Sequence, residues 1–121
     1  MPRILVVDDD ADMPEVIALA LDGQGYDIEK VGSGQAALEQ LAQHAYDLIV
    51  CDLDMPDVDG RAIYRVIGRR APPRPAFLFV TGYAHTGPYE EFVRAAQVPV
   101  LAKPFAISVL RGSVHRILSG A

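Results

Sequence analysis

The chain is poor in cysteine, in basic charge and in long apolar runs, and each shortage removes a class of function. One cysteine, Cys51, in 121 residues rules out an intramolecular disulfide, so the core must hold the fold. Cys51 falls inside an apolar run and reads as a small buried hydrophobe. Acids outnumber Lys+Arg by 16 to 11, a net charge of −5, which argues against a nucleic-acid-binding domain. No apolar run approaches the length of a membrane span. A core-like strand follows Met1 at once and leaves no room for a signal peptide, so a cytoplasmic protein is expected. His44, His85 and His115 show no ligand spacing and read as surface residues.

What is present fits a single domain over residues 1–121, half of it hydrophobic and large enough for a core of its own. Ile4–Val7 is a short apolar run that ends on Asp8, Asp9 and Asp10. Asp12 then reads as a helix N-cap with Glu15 as its reciprocal partner. Val16, Ile17, Ala20 and Leu21 mark that helix's buried face, and Gly23 and Gly25 its end. Asp27–Val31 is a more polar strand, suited to an edge. Ser33 caps a second helix with an apolar stripe of Ala37, Leu38, Leu41 and Ala45.

Leu48–Cys51 is the most apolar strand, and it stops abruptly on Asp52. A proline turn follows, and Asp59-Gly60 opens a third helix that buries Ile63, Val66 and Ile67 and ends near Gly68. Phe77–Val80 is a fourth strand, ending on Thr81-Gly82, and its two phenylalanines read as core. Thr86-Gly-Pro88 starts a fourth helix with Glu90 and Glu91 in its first turn. Val98–Ala102 is a fifth strand, ending on Lys103-Pro104. A last helix carries Leu110, Val114, Ile117 and Leu118. Five strands alternate with five helices. Short strands apolar on both faces imply a parallel sheet covered by helices, a doubly wound three-layer α/β sandwich.

In such a sheet the carboxyl ends of the strands share one edge, where ligands bind. That edge collects Asp8 and Asp9, Asp52, Thr81 and Lys103. Taken alone, Asp52 could equally be a turn or cap carboxylate; the company it keeps points to chemistry. Carboxylates so close repel one another unless a cation sits among them. Oxygen-only ligation suits a hard ion such as Mg²⁺. Lys103 adds a positive charge and Thr81 a rotatable donor, which describes a phosphoryl site with one carboxylate as nucleophile.

Four segments carry a family resemblance: Val6-Val7-Asp8-Asp9, Asp52-Leu-Asp-Met-Pro-Asp-Val-Asp-Gly60, Val80-Thr81-Gly82 and Lys103-Pro104-Phe105. Together they resemble the receiver domains of bacterial two-component response regulators, over essentially the whole chain. The resemblance implies a flavodoxin-like (CheY-like) sheet of strand order 2-1-3-4-5. It implies that Asp52 accepts phosphate from a histidine kinase or a histidine phosphotransfer protein. It further implies that Asp9 ligates Mg²⁺ (or Mn²⁺) directly, Asp8 holds the ion through water, and the Asp54 backbone carbonyl completes the set with Asp52. Thr81, Lys103 and the Gly82 amide would then meet the phosphoryl oxygens, and Pro104 would follow a cis bond. A downstream protein target is implied as well, since no DNA-binding segment follows the last helix.

One position departs from the family pattern. Three residues before Lys103, where the family often carries Tyr or Phe, stands Val100, as in similar segments of receivers attached to hybrid histidine kinases. Switching is therefore expected to run through the backbone of residues 82–88 and the start of the fourth helix. Asp10 and the Asp54 side chain read as solvated rim acids, although Asp54, and Tyr83 beside the Thr81 site, lie near the path of an attacking water. Asp57 and Asp59 suit turn and cap. Arg61, Arg65, Arg69 and Arg70 read as a solvated face. The rival reading is a haloacid-dehalogenase-like phosphatase using Asp52 and Asp54. That motif belongs on a first strand, however, and would leave Asp8 and Asp9 without a role.

Overall fold

The computed structural model describes residues 1–82 and 87–120. Five strands, β1 (Arg3–Val7), β2 (Asp27–Val31), β3 (Leu48–Cys51), β4 (Ala76–Thr81) and β5 (Val100–Ala102), alternate with five helices. The helices are α1 (Met13–Ala20), α2 (Gly34–Gln43), α3 (Gly60–Gly68), α4 (Gly87–Ala96) and α5 (Ile107–Leu118). All strand pairs are parallel, in the order β2-β1-β3-β4-β5. This is the doubly wound sandwich expected, with the polar β2 on an edge.

The period-two alternation of the strands divides the core in two. Leu5, Val7, Ile49, Cys51, Phe77 and Phe79 face Ala37 and Leu41 of α2, Ile63 and Ile67 of α3, and Phe92 and Val93 of α4. Ile4, Val6, Leu48, Val50, Leu78 and Val80 face Ile17 and Ala20 of α1 and Leu110 and Val114 of α5. Because both faces are covered, the central strands had to read as unbroken apolar runs. Phe79 meets Phe92 edge-on at 5.6 Å between ring centroids, which seats α4 against β4.

Several local expectations need correcting. Asp12 precedes α1, but its backbone is helical and its side chain makes no capping bond. Its amide instead donates to Asp10 Oδ1, and Glu15 pairs with Lys30 across to β2, so no capping box forms. Val16 is 44% exposed, because α1 buries Pro14, Ile17 and Ala20 at a spacing of three. Ala45 lies beyond α2, which ends at Gln43. Val98 and Pro99 fall outside β5: Pro99 accepts from the Phe79 amide but has no N–H to extend the ladder. The Thr86 helix start, His85 and Tyr83 lie outside the described residues.

Ser33 does cap α2, its hydroxyl accepting from the Ala36 amide at 3.0 Å. Asp59 caps α3 in the same way, accepting from the Ala62 amide at 3.1 Å. No helix among the described residues is long and apolar enough to cross a membrane. A cavity of about 660 Å³ opens at the amino edge of the sheet, lined by Arg3, Tyr46, Asp47, Arg70 and Arg74. Its arginines donate to carbonyl oxygens of Ala45, Leu41 and Gly68, which gives them a structural role far from the strand ends that carry the acids.

Candidate functional site

Each acid reaches the carboxyl edge because its strand runs out there. The Val7 carbonyl at the end of β1 accepts from the Asp52 amide at 3.0 Å, which locks the two strand ends side by side. Asp8 is almost wholly buried at 1% exposure, Asp52 is buried, and Asp9 is exposed. A carboxylate oxygen from each of Asp8, Asp9 and Asp52 fits within a 4.8 Å span. Such a set of hard oxygen donors at that spacing fits a divalent ion.

The register of β4 and β5 brings in the other two residues. Thr81 is fully buried at the end of β4, paired with Ala102, and its carbonyl accepts from the Lys103 amide at 3.1 Å. Lys103 reaches across the edge, its Nζ donating to Asp8 Oδ2 at 2.7 Å and Asp52 Oδ2 at 3.0 Å. The peptide bond between Lys103 and Pro104 is cis, as expected. The other oxygen of Asp52 accepts from the Asp54 amide at 3.2 Å. Both oxygens of the central carboxylate are therefore held by donors.

Burial raises the Asp8 carboxyl above its ordinary range, and the bonds from Lys103 and the Asp10 amide only partly offset that cost. For Lys103, burial would lower the ammonium, but its bonds to Asp8 and Asp52 win and raise it. The lysine is thus held charged between two acids. The Cys51 thiol, beside this site but wholly buried, is pushed well up by burial and by the neighbouring Asp52 and Asp8 charges. It has the inert character expected of a core cysteine.

The turn after Asp52 explains the glycine at its end. A Cβ on Gly60 would lie 2.6 Å from the Asp52 carbonyl oxygen and 3.1 Å from a Phe79 ring carbon. Only a residue without a side chain lets α3 start this close to the end of β3. Asp57 takes the left-handed backbone conformation, φ 66°, in the turn role expected of it.

The structure also assembles a cluster that the local sequence pattern did not reveal. The Tyr89 hydroxyl, in the first turn of α4, donates to Asp54 Oδ1 at 2.7 Å. The Arg61 guanidinium lies 4.7 Å from the Tyr89 ring centroid and is itself held by Asp59 Oδ2 at 2.8 Å. Asp54 is thus an exposed acid with a specific partner rather than a freely solvated one. An aromatic residue in a helix's first turn at the carboxyl edge of the sheet is the signal that could have singled out Tyr89, but only once the fold was known.

The profile of the response regulator receiver domain matches residues 4–115, and the chain belongs to that family. The response regulator receiver protein CpdR of Brucella abortus (strain 2308) is 30% identical over 121 residues, the full length of both chains. The transcriptional regulatory protein ZraR of Escherichia coli (strain K12) is 32% identical over 116 residues, 96% of this chain but only 26% of ZraR. The chain therefore spans about a quarter of that relative. Among solved structures, a sensor protein from Polaromonas sp. JS666 superposes with a TM-score of 0.86 at 34% identity, covering 98% of this chain and 97% of that one. The two-component receiver reading follows from the family match. The phosphatase reading of Asp52 and Asp54 finds no support: the pair follows β3, and the Asp54 carboxylate is bonded to Tyr89.

Proposed function

We propose that residues 1–121 act as one phosphoacceptor module in which Asp52 takes a phosphoryl group from a phosphohistidine on a sensor kinase or histidine phosphotransfer protein. The observation that carries this is the setting of Asp52, buried at a strand end with Asp8 and Asp9 on one side and the Lys103 ammonium on the other. An Asp52 oxygen forms the new bond to phosphorus. The P–N bond to the donor imidazole breaks, and its electron pair returns to that nitrogen. Lys103 can follow the charge from carboxylate to phosphoryl oxygen, and Thr81 stands at the end of the neighbouring strand to meet another.

Asp8, Asp9, Asp52 and the Asp54 backbone carbonyl would hold Mg²⁺, with Mn²⁺ as the substitute. When bound, the ion supplies charge neutralisation for the phosphoryl oxygens. The module makes and loses its own adduct and does not turn over a separate substrate. Its setting in this proposal is cytoplasmic, where an ATP-fed kinase works.

The output in this reading is a protein-binding surface. Val100 pairs with Phe79 on β4 and packs against the core, and its β-branched side chain is too small and stiff to act as an aromatic rotor. The signal would instead pass to the first turn of α4, with a coupling of about 1–3 kcal/mol. Incubation with acetyl phosphate and Mg²⁺ tests the class of chemistry. One alkali-labile phosphoryl group retained per chain is expected, and none when EDTA is present. Steady consumption of acetyl phosphate with no retained adduct would contradict the proposal.

A further inference from the structure

Tyr89 is the residue at this edge whose partners ask for an explanation. It belongs to α4, yet its hydroxyl crosses to the β3–α3 turn and ends on Asp54 Oδ1 at 2.7 Å. Its ring is steadied by Arg61, 4.7 Å from the centroid, and Asp59 holds that guanidinium through two nitrogens at 2.8 and 3.1 Å. One hydroxyl thus holds the carboxylate, and Arg61 and Asp59 back the ring that carries it. That carboxylate belongs to the residue whose backbone amide touches the Asp52 carboxylate at 3.2 Å. Surface carboxylates seldom receive such support, because an exposed acid is satisfied by water at no ordering cost.

We infer that Tyr89 is a positioning residue that sets the lifetime of the Asp52 phosphoryl adduct by tying the Asp54 carboxylate to α4. The inference rests on the reading of Asp52 as phosphoacceptor. Loss of the adduct is hydrolysis. A water oxygen bonds to phosphorus, the P–O bond to Asp52 breaks, and the electron pair stays on the Asp52 carboxylate. Both water protons leave on the released phosphate, as H₂PO₄⁻. A carboxylate two residues from Asp52, exposed at the mouth of the site, is suited to hold that water in line. The Tyr89 hydroxyl competes with water for the same oxygen. With the phenol in place the carboxylate is engaged, and the adduct persists. The phenol also gives α4 a direct handle on the site, which matters in a chain with valine at position 100.

The experiment follows the decay of label after the full chain is phosphorylated with acetyl phosphate and Mg²⁺ and then separated from the donor. Tyr89→Phe should shorten the adduct lifetime about fivefold, the worth of one ordinary hydrogen bond. In an Asp54→Asn background, which removes the carboxylate, Tyr89→Phe should leave the lifetime unchanged. Arg61→Gln, which loosens the ring but keeps the hydroxyl, should shorten it by a smaller factor. A Tyr89→Phe lifetime equal to or longer than wild type overturns the inference. So does an equal effect in the Asp54→Asn background, since that marks a general loosening of α4. Labelling of wild type with unaltered lifetimes leaves the phosphoacceptor reading standing, whereas absence of wild-type labelling overturns both.

Discussion

Lys103 Nζ lies 2.7 Å from Asp8 Oδ2 and 3.0 Å from Asp52 Oδ2, so one ammonium is shared by carboxylates that stand just past the ends of two different strands. Two acids can be buried together here because this cation accompanies them. Lys103→Met should leave both without their partner and cost about 1–3 kcal/mol, seen as a lower urea midpoint. An unchanged midpoint would show that the lysine contributes nothing to holding the acids together.

Millimolar Mg²⁺ should raise the melting temperature. An ion that binds only the folded chain stabilises it by about 2.7 kcal/mol at a hundredfold excess over its dissociation constant. Asp9 is the exposed member of the acid set, so Asp9→Ala should remove most of the magnesium response while disturbing the core little. A melting curve flat across the magnesium titration would refute the metal site.

Two glycines at opposite ends of α3 should respond in opposite directions. Gly60→Ala places a methyl 2.6 Å from the Asp52 carbonyl oxygen and should cost about 1–3 kcal/mol. Gly68→Ala meets nothing within 4 Å and should gain up to about 1 kcal/mol from helix propensity. Equal effects at both positions would mean that the close approach beneath Asp52 is not real.

Asp59 carries a pH signature. Burial would raise its carboxyl, but Arg61 and the Ala62 amide outweigh burial and hold it below its ordinary 3.8. A lowered folded value means that the unfolded chain binds the proton first. The stabilisation is therefore present above 3.8 and is lost as pH falls through the lower folded value. Asparagine can cap a helix without the charge, so the stability difference between wild type and Asp59→Asn should shrink from about pH 5 to pH 2. A difference that stays constant over that range would rule out the ionised pair as its source.

The architecture was legible because its signals are local. Leu48–Cys51 had to be buried on both faces, and Asp52 had to follow it at the sheet's edge. The strand order and the roles of the acids came from the resemblance, not from periodicity. What failed were choices between equivalent local patterns. Asp12 and Glu15 have capping-box spacing, but Asp12 adopts a helical backbone and Lys30 takes Glu15. Val16 and Ile17 are both apolar, and only the packing of α1 decides which is buried. Tyr89 stayed hidden for a different reason. Its partner is 35 residues away, and no spacing rule connects them until the chain has folded.

The most direct test of this account is to map the phosphoryl group itself. Wild-type, Asp52→Asn and Asp54→Asn chains would be treated with acetyl phosphate and Mg²⁺, and the modified residue located by mass spectrometry of borohydride-trapped peptides. The account predicts a single modified residue, Asp52, in the wild-type and Asp54→Asn chains, and none in Asp52→Asn. Modification that persists in Asp52→Asn and maps to Asp8, Asp9 or Asp54 would contradict it.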